Sequence, residues 1–341
     1  MLLTMSDAGR YRPPRFHASP AEWNHAAQRV LLDVLDTQYA VTKRELEARA
    51  SDRTWDPTVW PRPIDPGYFT HAMTDLHRQG LIMPTHEPTR GGAAITTWSR
   101  VPVRGLKGRI EDAAARKRLL AARHNGWSQR GGNGLGLIGR AGENALHTAL
   151  ADPECPLQPL GPTRTVLEVE LLGEIDNHGL FADHKTDPSD PVVITALFEV
   201  KNRRQHYYSQ DAAVRRFLAK AAHYQRERPN QLVLPVFVCR RYNITLWREG
   251  ETNGFLPVTV NNQLVLPDHE LDQNSLEEVR IELGYEDLVL GDTPTNRHLG
   301  MAKTSLYKYG RPYAQRWRTT HTQFLAEDLD DLPEEDELAD D

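Results

Sequence analysis

The stretch Val192-Val193-Ile194-Thr195-Ala196-Leu197-Phe198-Glu199-Val200-Lys201 decides the reading of this chain. Its first seven residues form an apolar, β-branched run of the length expected for a buried strand. A strand alternates its side chains, so Glu199 and Lys201 share one face and Val200 points to the other. Lysine is scarce: 8 of the 41 basic residues are Lys and the rest are Arg. A second strand-like run, Val166 to Leu172, is closed by Glu174-Ile175-Asp176, and Asp176 precedes Glu199 by 23 residues. Two acids and a lysine at the ends of neighbouring strands suit a divalent metal and an attacking water held against a phosphodiester. The tripeptide alone settles little, because 47 acids and 8 lysines in 341 residues give roughly one acid-x-Lys by chance. The chain has two. The other, Asp183-His184-Lys185, sits in a polar stretch ending Thr186-Asp187-Pro188-Ser189-Asp190-Pro191, which is loop chemistry. Placement favours Glu199-Val200-Lys201.

A length of 341 residues accommodates two domains and a tail. Hydrophobic content of 39% supports a folded core. No apolar stretch approaches the roughly 18 residues of a membrane span, so no membrane partner is expected. Met1 to Arg15 lacks the apolar core of a secretory signal. Cys155 and Cys239 have neither metal-binding spacing nor the look of a disulfide framework, and a cytoplasmic location is the expectation. The net charge of -6 conceals an asymmetry: residues 327–341 hold ten acids and no base, which leaves +4 on the rest. That acidic end, 326–341, is expected to be disordered, serving solubility or mimicking a phosphate backbone in a basic groove.

Residues 1–21, rich in Pro and Arg, are also expected to be disordered. From Glu22 the recurrence of Ala26, Val30, Leu31, Val34 and Leu35 predicts a helix. Thr42 with Glu45 reads as a capping box opening a second helix to Ala50. A third runs from Pro66 to Gln79 and stops at Gly80. Leu81-Ile82-Met83, a turn through Arg90-Gly91-Gly92, and Ala94 to Trp98 predict a hairpin. Three helices and a hairpin over residues 22–100 resemble a small winged helix-turn-helix α+β domain. The resemblance implies that the third helix offers Tyr68, Thr70, His71, Thr74 and Arg78 to DNA, with Arg90 at the wing tip. The insert at 51–65 departs from that pattern.

Residues 101–134 form a basic connector. From Arg100 to Arg130, nine bases, among them Arg116, Lys117 and Arg118, face only Glu111 and Asp112. Phosphate contact is the expectation and a solvated helix the plain alternative. Gly134, Gly136 and Gly139 spell G-x-G-x-x-G, but no strand precedes them, so they read as a flexible entry to the next helix.

Beyond it the pattern predicts a helix from Arg140 to Leu150, the two strand runs, a helix from Gln210 to Arg226, and strands at Leu232–Val238 and Ile244–Trp247. That order indicates an α/β domain. Glu143 on the helix, Asp176 on one strand and Glu199 with Lys201 on the next resemble the PD-(D/E)xK, or restriction-endonuclease-like, nuclease superfamily across residues 135–250. The resemblance implies a mixed sheet flanked by helices and a metal-dependent DNA endonuclease of restriction, phage-defence or mobile-element biology. It implies Mg²⁺, with Mn²⁺ as substitute, on Asp176, Glu199 and the Val200 carbonyl. Glu143 would orient a second metal or a water, and Lys201 would stand beside the nucleophile. Arg203, Arg204 and Gln205 would follow the substrate groove, Tyr224 and Gln225 loosely echo a glutamine/tyrosine helix, and a homodimer is common among relatives. His178 offers either a base or an ordinary surface histidine. Residues 251–325 read as an appendage, in which the basic-aromatic run 301–318 suits either nucleic-acid stacking or core packing. A DNA-binding regulator with an inactive nuclease-like domain is the alternative to the enzyme.

Overall fold

A computed structural model describes residues 18–88, 94–129, 136–183, 192–268 and 271–325. The expected N-terminal disorder up to residue 17, the wing-tip Arg90, Arg130 and Gly134, His184 and Lys185, and the acidic tail all lie outside these residues.

The N-terminal unit is built from α1 (Pro20–Gln38), β1 (Ala40–Val41), α2 (Lys43–Ala50), α3 (Pro66–Arg78), β2 (Ile82–Pro88) and β3 (Ala94–Arg100). Ser19 and Glu22 form a reciprocal capping box that starts α1. Thr42 caps α2 by accepting the Glu45 N–H at 3.1 Å, but the Glu45 carboxylate turns inward instead of completing the expected box. The three strands form an antiparallel sheet in the order β1-β3-β2. Val30, Leu31, Val34, Leu46, Phe69 and Leu76 make the core beneath it. α4 (Lys107–Gln129) follows as one long helix and leads to α5 (Gly136–Leu150).

The larger unit is a mixed sheet flanked by helices. After α5 come β4 (Gln158–Pro159), β5 (Thr163–Val166), β6 (Val169–Ile175), β7 (Asn177–Asp183), β8 (Val192–Tyr207), α6 (Ala212–Glu227), β9 (Leu232–Tyr242), α7 (Ile244–Asn253) and β10 (Leu256–Thr259). The five-stranded sheet has the order β10-β9-β8-β7-β4, with β8, β9 and β10 parallel and β7 antiparallel to β8. Phe198, Val200, Leu234 and Val236 pack with Leu146, Leu150 and Leu306 on one face. Leu197, Val233 and Phe237 pack with Phe217 and Leu218 of α6 on the other. Ile194, Leu197 and Phe198 are fully buried, each contributing roughly 1.5–3 kcal/mol of apolar burial. The remaining described elements are β11 (Gln263–Val265), α8 (Gln273–Leu283), β12 (Leu288–Leu290), α9 (Asn296–Gly300), a π-helical turn at Met301–Ser305, α10 (Leu306–Thr320) and a 3-10 turn at His321–Phe324.

Several expectations need correction. The run Val166 to Leu172 is a hairpin: Leu167 and Glu168 turn the chain with φ of 44° and 69°, and β5 pairs antiparallel with β6. Asp176 lies between β6 and β7, a strand that the polar and glycine residues of Asn177–Asp183 concealed. Asp183 closes β7 and so stands at a strand end, but it pairs with Val192, at the opposite end of the β7–β8 ladder from Phe198. Ile244–Trp247 is the first turn of α7, capped by Asn243 accepting the Thr245 N–H at 2.9 Å. Residues 251–325 are no appendage, because β10 is an edge of the main sheet and Tyr313, Ala314 and Trp317 of α10 are buried against it. Gly310 permits that approach, since a β carbon there would meet the Phe181 ring at 2.6 Å.

The insert at 51–65 joins the two units. Asp52 lies under β8 and β9, where Oδ2 accepts from Arg240 at 2.6 Å and Arg204 at 3.3 Å while Oδ1 faces His206 at 2.8 Å and Arg241 at 3.1 Å. Asp287 closes the network on Arg204 at 2.5 Å and Arg240 at 2.9 Å. Burial pushes the Asp52 carboxyl up, but the Arg240 guanidinium, the His206 hydrogen bond and Arg204 outweigh it and hold the group well below the usual range. At the other end of the insert, Asp65 accepts from the Tyr208 hydroxyl at 3.0 Å and from the Asn243 amide, while also capping α3.

Candidate active site

The site forms where β7 begins against β8. Asn177 and Phe198 are the first pair of that ladder. One residue earlier, Asp176 donates its N–H to the Phe198 carbonyl at 3.1 Å and its Oδ2 accepts the Val200 N–H at 2.6 Å. The carboxylate thus takes the place of the missing strand partner. On a strand the N–H and C=O of one residue point to the same side, so the Val200 carbonyl shares this notch.

Glu199 and Lys201 lie within β8, which continues six residues past the motif to Tyr207 instead of ending there. Glu199 is buried, with Oε1 3.0 Å from Lys201 Nζ. Its other oxygen is 3.4 Å from Lys220 Nζ on α6, and Lys220 also donates to the Glu174 carbonyl at 2.6 Å. Sequence reading missed Lys220. The available signal was the scarcity of lysine, with two of the eight converging on one glutamate.

Glu143 reaches the same electrostatic environment from α5. Gly142 sets the approach: a β carbon there would stand 2.7 Å from Asn202 Cβ. Asn202 clips the helix to the strand, donating to the Ile138 and Leu264 carbonyls at 2.7 Å each and accepting the Leu264 N–H at 3.0 Å. Asn202 was also missed, although it follows the motif directly. Burial and then the charge of Glu199 push the Asp176 carboxyl well above its usual value, with Lys201 and the Val200 N–H opposing. Burial likewise raises Glu143, with Lys201 opposing and Glu199 and Glu174 reinforcing. Three carboxylates, Glu143, Asp176 and Glu199, against two ammoniums leave this site net negative when all are ionised, and exposed Glu174 adds to the excess. Mutual repulsion among buried acids is what a cation relieves.

Among the described residues, no group of three or more His, Cys, Asp or Glu side chains is arranged to hold a metal. The ligand set expected from the sequence has only two side chains, Asp176 and Glu199, besides the Val200 carbonyl, and so falls below a group of that size. Such a sparse set is within the habit of an ion that keeps several waters.

The expected nucleic-acid residues divide. Thr70, His71, Thr74 and Arg78 are exposed along one side of α3, whereas Tyr68 is half-buried and stacked on Trp23 at 5.9 Å. Arg203 and Gln205 are half-buried on β8, in the stretch between Lys201 and His206 where the register with β9 shifts. Arg204 is instead buried in the Asp52–Asp287 network and lies over the Tyr285 ring at 4.1 Å, which removes it from the groove. The connector is corrected most. Lys117 is buried 2.6 Å from Glu45, Arg118 is buried against Glu87, and Arg116 pairs with Glu278 at 3.1 Å and Glu282 at 3.4 Å. Their charge is spent within the chain, holding α4 to α2, β2 and α8. Arg104, Lys107 and Arg109 remain exposed at the start of α4. Gln225 is buried and donates to the Arg228 and Gln231 carbonyls, and Tyr224 donates to Gln231, so both serve the turn into β9. His178 is buried with Nδ1 3.0 Å from the Gly161 carbonyl. In the 301–318 run, Tyr313 and Trp317 take the packing alternative.

Compared with known proteins, the chain matches no family model, no curated protein and no solved structure. Among the described residues no helix is long and apolar enough to cross a membrane.

Proposed function

We propose that the chain is a metal-dependent endonuclease of the PD-(D/E)xK type, acting on DNA. The observation that carries this reading is the mutual electrostatic influence of Glu143, Asp176, Glu199 and Lys201 beside one notch of a mixed sheet, where Asp176 accepts the Val200 N–H and Lys201 pairs with Glu199. Residues separated by up to 58 positions in sequence share a single electrostatic environment there. The order α5, then β7-β8-α6-β9 after the short β4 and the β5–β6 hairpin, supports a restriction-endonuclease-like core. The α1-β1-α2-α3-β2-β3 order with a β1-β3-β2 sheet supports a winged-helix unit before it.

In this reading Asp176, Glu199 and the Val200 carbonyl hold Mg²⁺ or Mn²⁺. The bound ion would supply charge neutralisation at the scissile phosphate and a lowered pKa for attacking water. Lys201, on the same strand face as Glu199, is placed to steady the nucleophile and the charge gathering on phosphorus. Glu143 accepts a hydrogen bond from, and so orients, water entering from the α5 side. The Val200 N–H fixes the Asp176 carboxylate before any ligand arrives, which is the preorganisation that such catalysis needs.

The second reading, a DNA-binding regulator with an inactive site, draws on the two lysines that already occupy both oxygens of Glu199. Incubation of duplex and single-stranded DNA and RNA with Mg²⁺ or Mn²⁺ separates the two. Cleavage by wild type that is lost in Asp176→Ala and Lys201→Ala supports the nuclease. DNA retention without cleavage under any divalent metal leaves the regulator.

A further inference from the structure

We propose that Lys220 is a second catalytic cation, serving the leaving oxygen of the phosphodiester; the inference rests on the nuclease reading. The two oxygens of Glu199 carry one ammonium each, Lys201 at 3.0 Å and Lys220 at 3.4 Å. They come from different elements, β8 and α6, so the carboxylate stands between two independently anchored cations.

Three features separate Lys220 from an ordinary staple. Its firmest bond is to a neutral acceptor, the Glu174 carbonyl at 2.6 Å. That anchor holds the ammonium in the pocket without consuming its charge and would keep it there when Glu199 turns to another ligand. Next, Gly173 leaves room for the side chain as it passes, since a β carbon there would stand 3.3 Å from Lys220 Cε. Finally, its side chain is only 14% exposed and faces a buried carboxylate. His223 further along α6 and Arg228, which caps its end, make the plain version of this contact. They reach the carbonyls of Glu170 at 3.1 Å and Leu167 at 2.5 Å on the β5–β6 hairpin, and Arg228 approaches only the exposed Glu168.

Phosphodiester hydrolysis needs stabilisation at both apical oxygens of an in-line displacement. A water oxygen bonds to phosphorus and gives up a proton. The bond from phosphorus to the bridging oxygen breaks, and its electron pair goes to that oxygen, which ends as a hydroxyl with a proton from solvent. A site with few metal ligands has one cation for the entering side and needs another for the departing side. Lys201 stands on one flank of Glu199 and Lys220 on the other.

The test compares two duplexes at the mapped cleavage position, one natural and one with sulfur in place of the leaving bridging oxygen. A departing thiolate bears its charge without help. Lys220→Gln is expected to lose about 10²–10³-fold on the oxygen substrate and to recover most of that loss on the sulfur substrate, whereas Lys201→Gln stays slow on both. Lys220→Arg, which keeps the charge and the carbonyl bond, should retain more activity than Lys220→Gln. Affinity for uncleaved DNA, read by fluorescence anisotropy without divalent metal, should be unchanged in Lys220→Gln. Equal losses on both substrates, or wild-type rates for Lys220→Gln, would overturn the assignment while leaving the nuclease reading intact. Failure of wild type to cut either duplex would remove that reading and this inference with it.

Discussion

Gly142 and Asn202 touch where α5 crosses β8, and no side chain larger than hydrogen fits between them at 2.7 Å. The crossing sets the height of Glu143 above the notch and leaves Asn202 free to clip both α5 and β11. Gly142→Ala should therefore cost about 1–3 kcal/mol by overpacking and lower activity by displacing Glu143. Gly126→Ala is the control: it lies in α4 with nothing within 4 Å, and alanine there should add up to about 1 kcal/mol. Chemical denaturation of the two variants should move the midpoint in opposite directions.

Asp176 is a strained acid. Its raised pKa means the folded chain prefers it protonated, so its contribution to stability falls as pH rises from the ordinary Asp value through the raised one. At neutral pH in chelator, Asp176→Asn should melt higher than wild type. Added Mg²⁺ should raise the wild-type melting temperature and leave the variant unmoved. A variant that melts lower in chelator would contradict this account of the notch.

Asp52 works in the opposite sense. Its depressed pKa contributes stability that is fully present above the ordinary Asp value and is lost only as pH falls through the lowered one. Acid titration should leave the two units joined down to about pH 4, below which the contribution fades. Asp52→Ala leaves Arg204 and Arg240 buried without this acid and should cost about 3–5 kcal/mol. Calorimetry should show one transition for wild type and two for the variant.

Lys117 gives a prediction about binding by its absence. Burial raises Glu45 and lowers Lys117 despite their mutual attraction, so this pair is costly to hold and more costly to break. Lys117→Met should destabilise the fold but leave the salt dependence of DNA affinity unchanged. Replacing exposed Arg104 and Arg109 should flatten the slope of log K against log salt by about 0.9 for each phosphate that is no longer neutralised.

Much of this architecture was legible because its signals are local. The apolar run ending at Phe198 announced a strand, Thr42 and Gly80 marked helix ends, and the acid-x-Lys match stood out through its apolar flank. What failed was context carried by distant residues. Leu167 and Glu168 adopt positive φ without glycine, so their turn left no mark. The Asn177–Asp183 strand looked polar because its neighbours, Leu157 and Gln158 against Gly179, shape it from outside. The bases of α4 read as a phosphate surface because Glu45, Glu87 and Glu278 lie 31 to 162 positions away. Lys220 was missed for the same reason, since Glu174 and Glu199 lie 46 and 21 positions from it.

The bridge made by residues 51–65 has a geometric consequence. Its two ends grip Arg204 and His206 on the strand that bears Glu199 and Tyr208 just past its end, while Asp65 also caps the helix whose far side presents His71 and Arg78. In the proposed function, α3 as reader and the notch as cutter are joined in this way into a ruler. Cleavage by such a chain would fall at a constant number of base pairs from whatever α3 contacts, and loosening Asp52 would blur that distance before it abolished the cut.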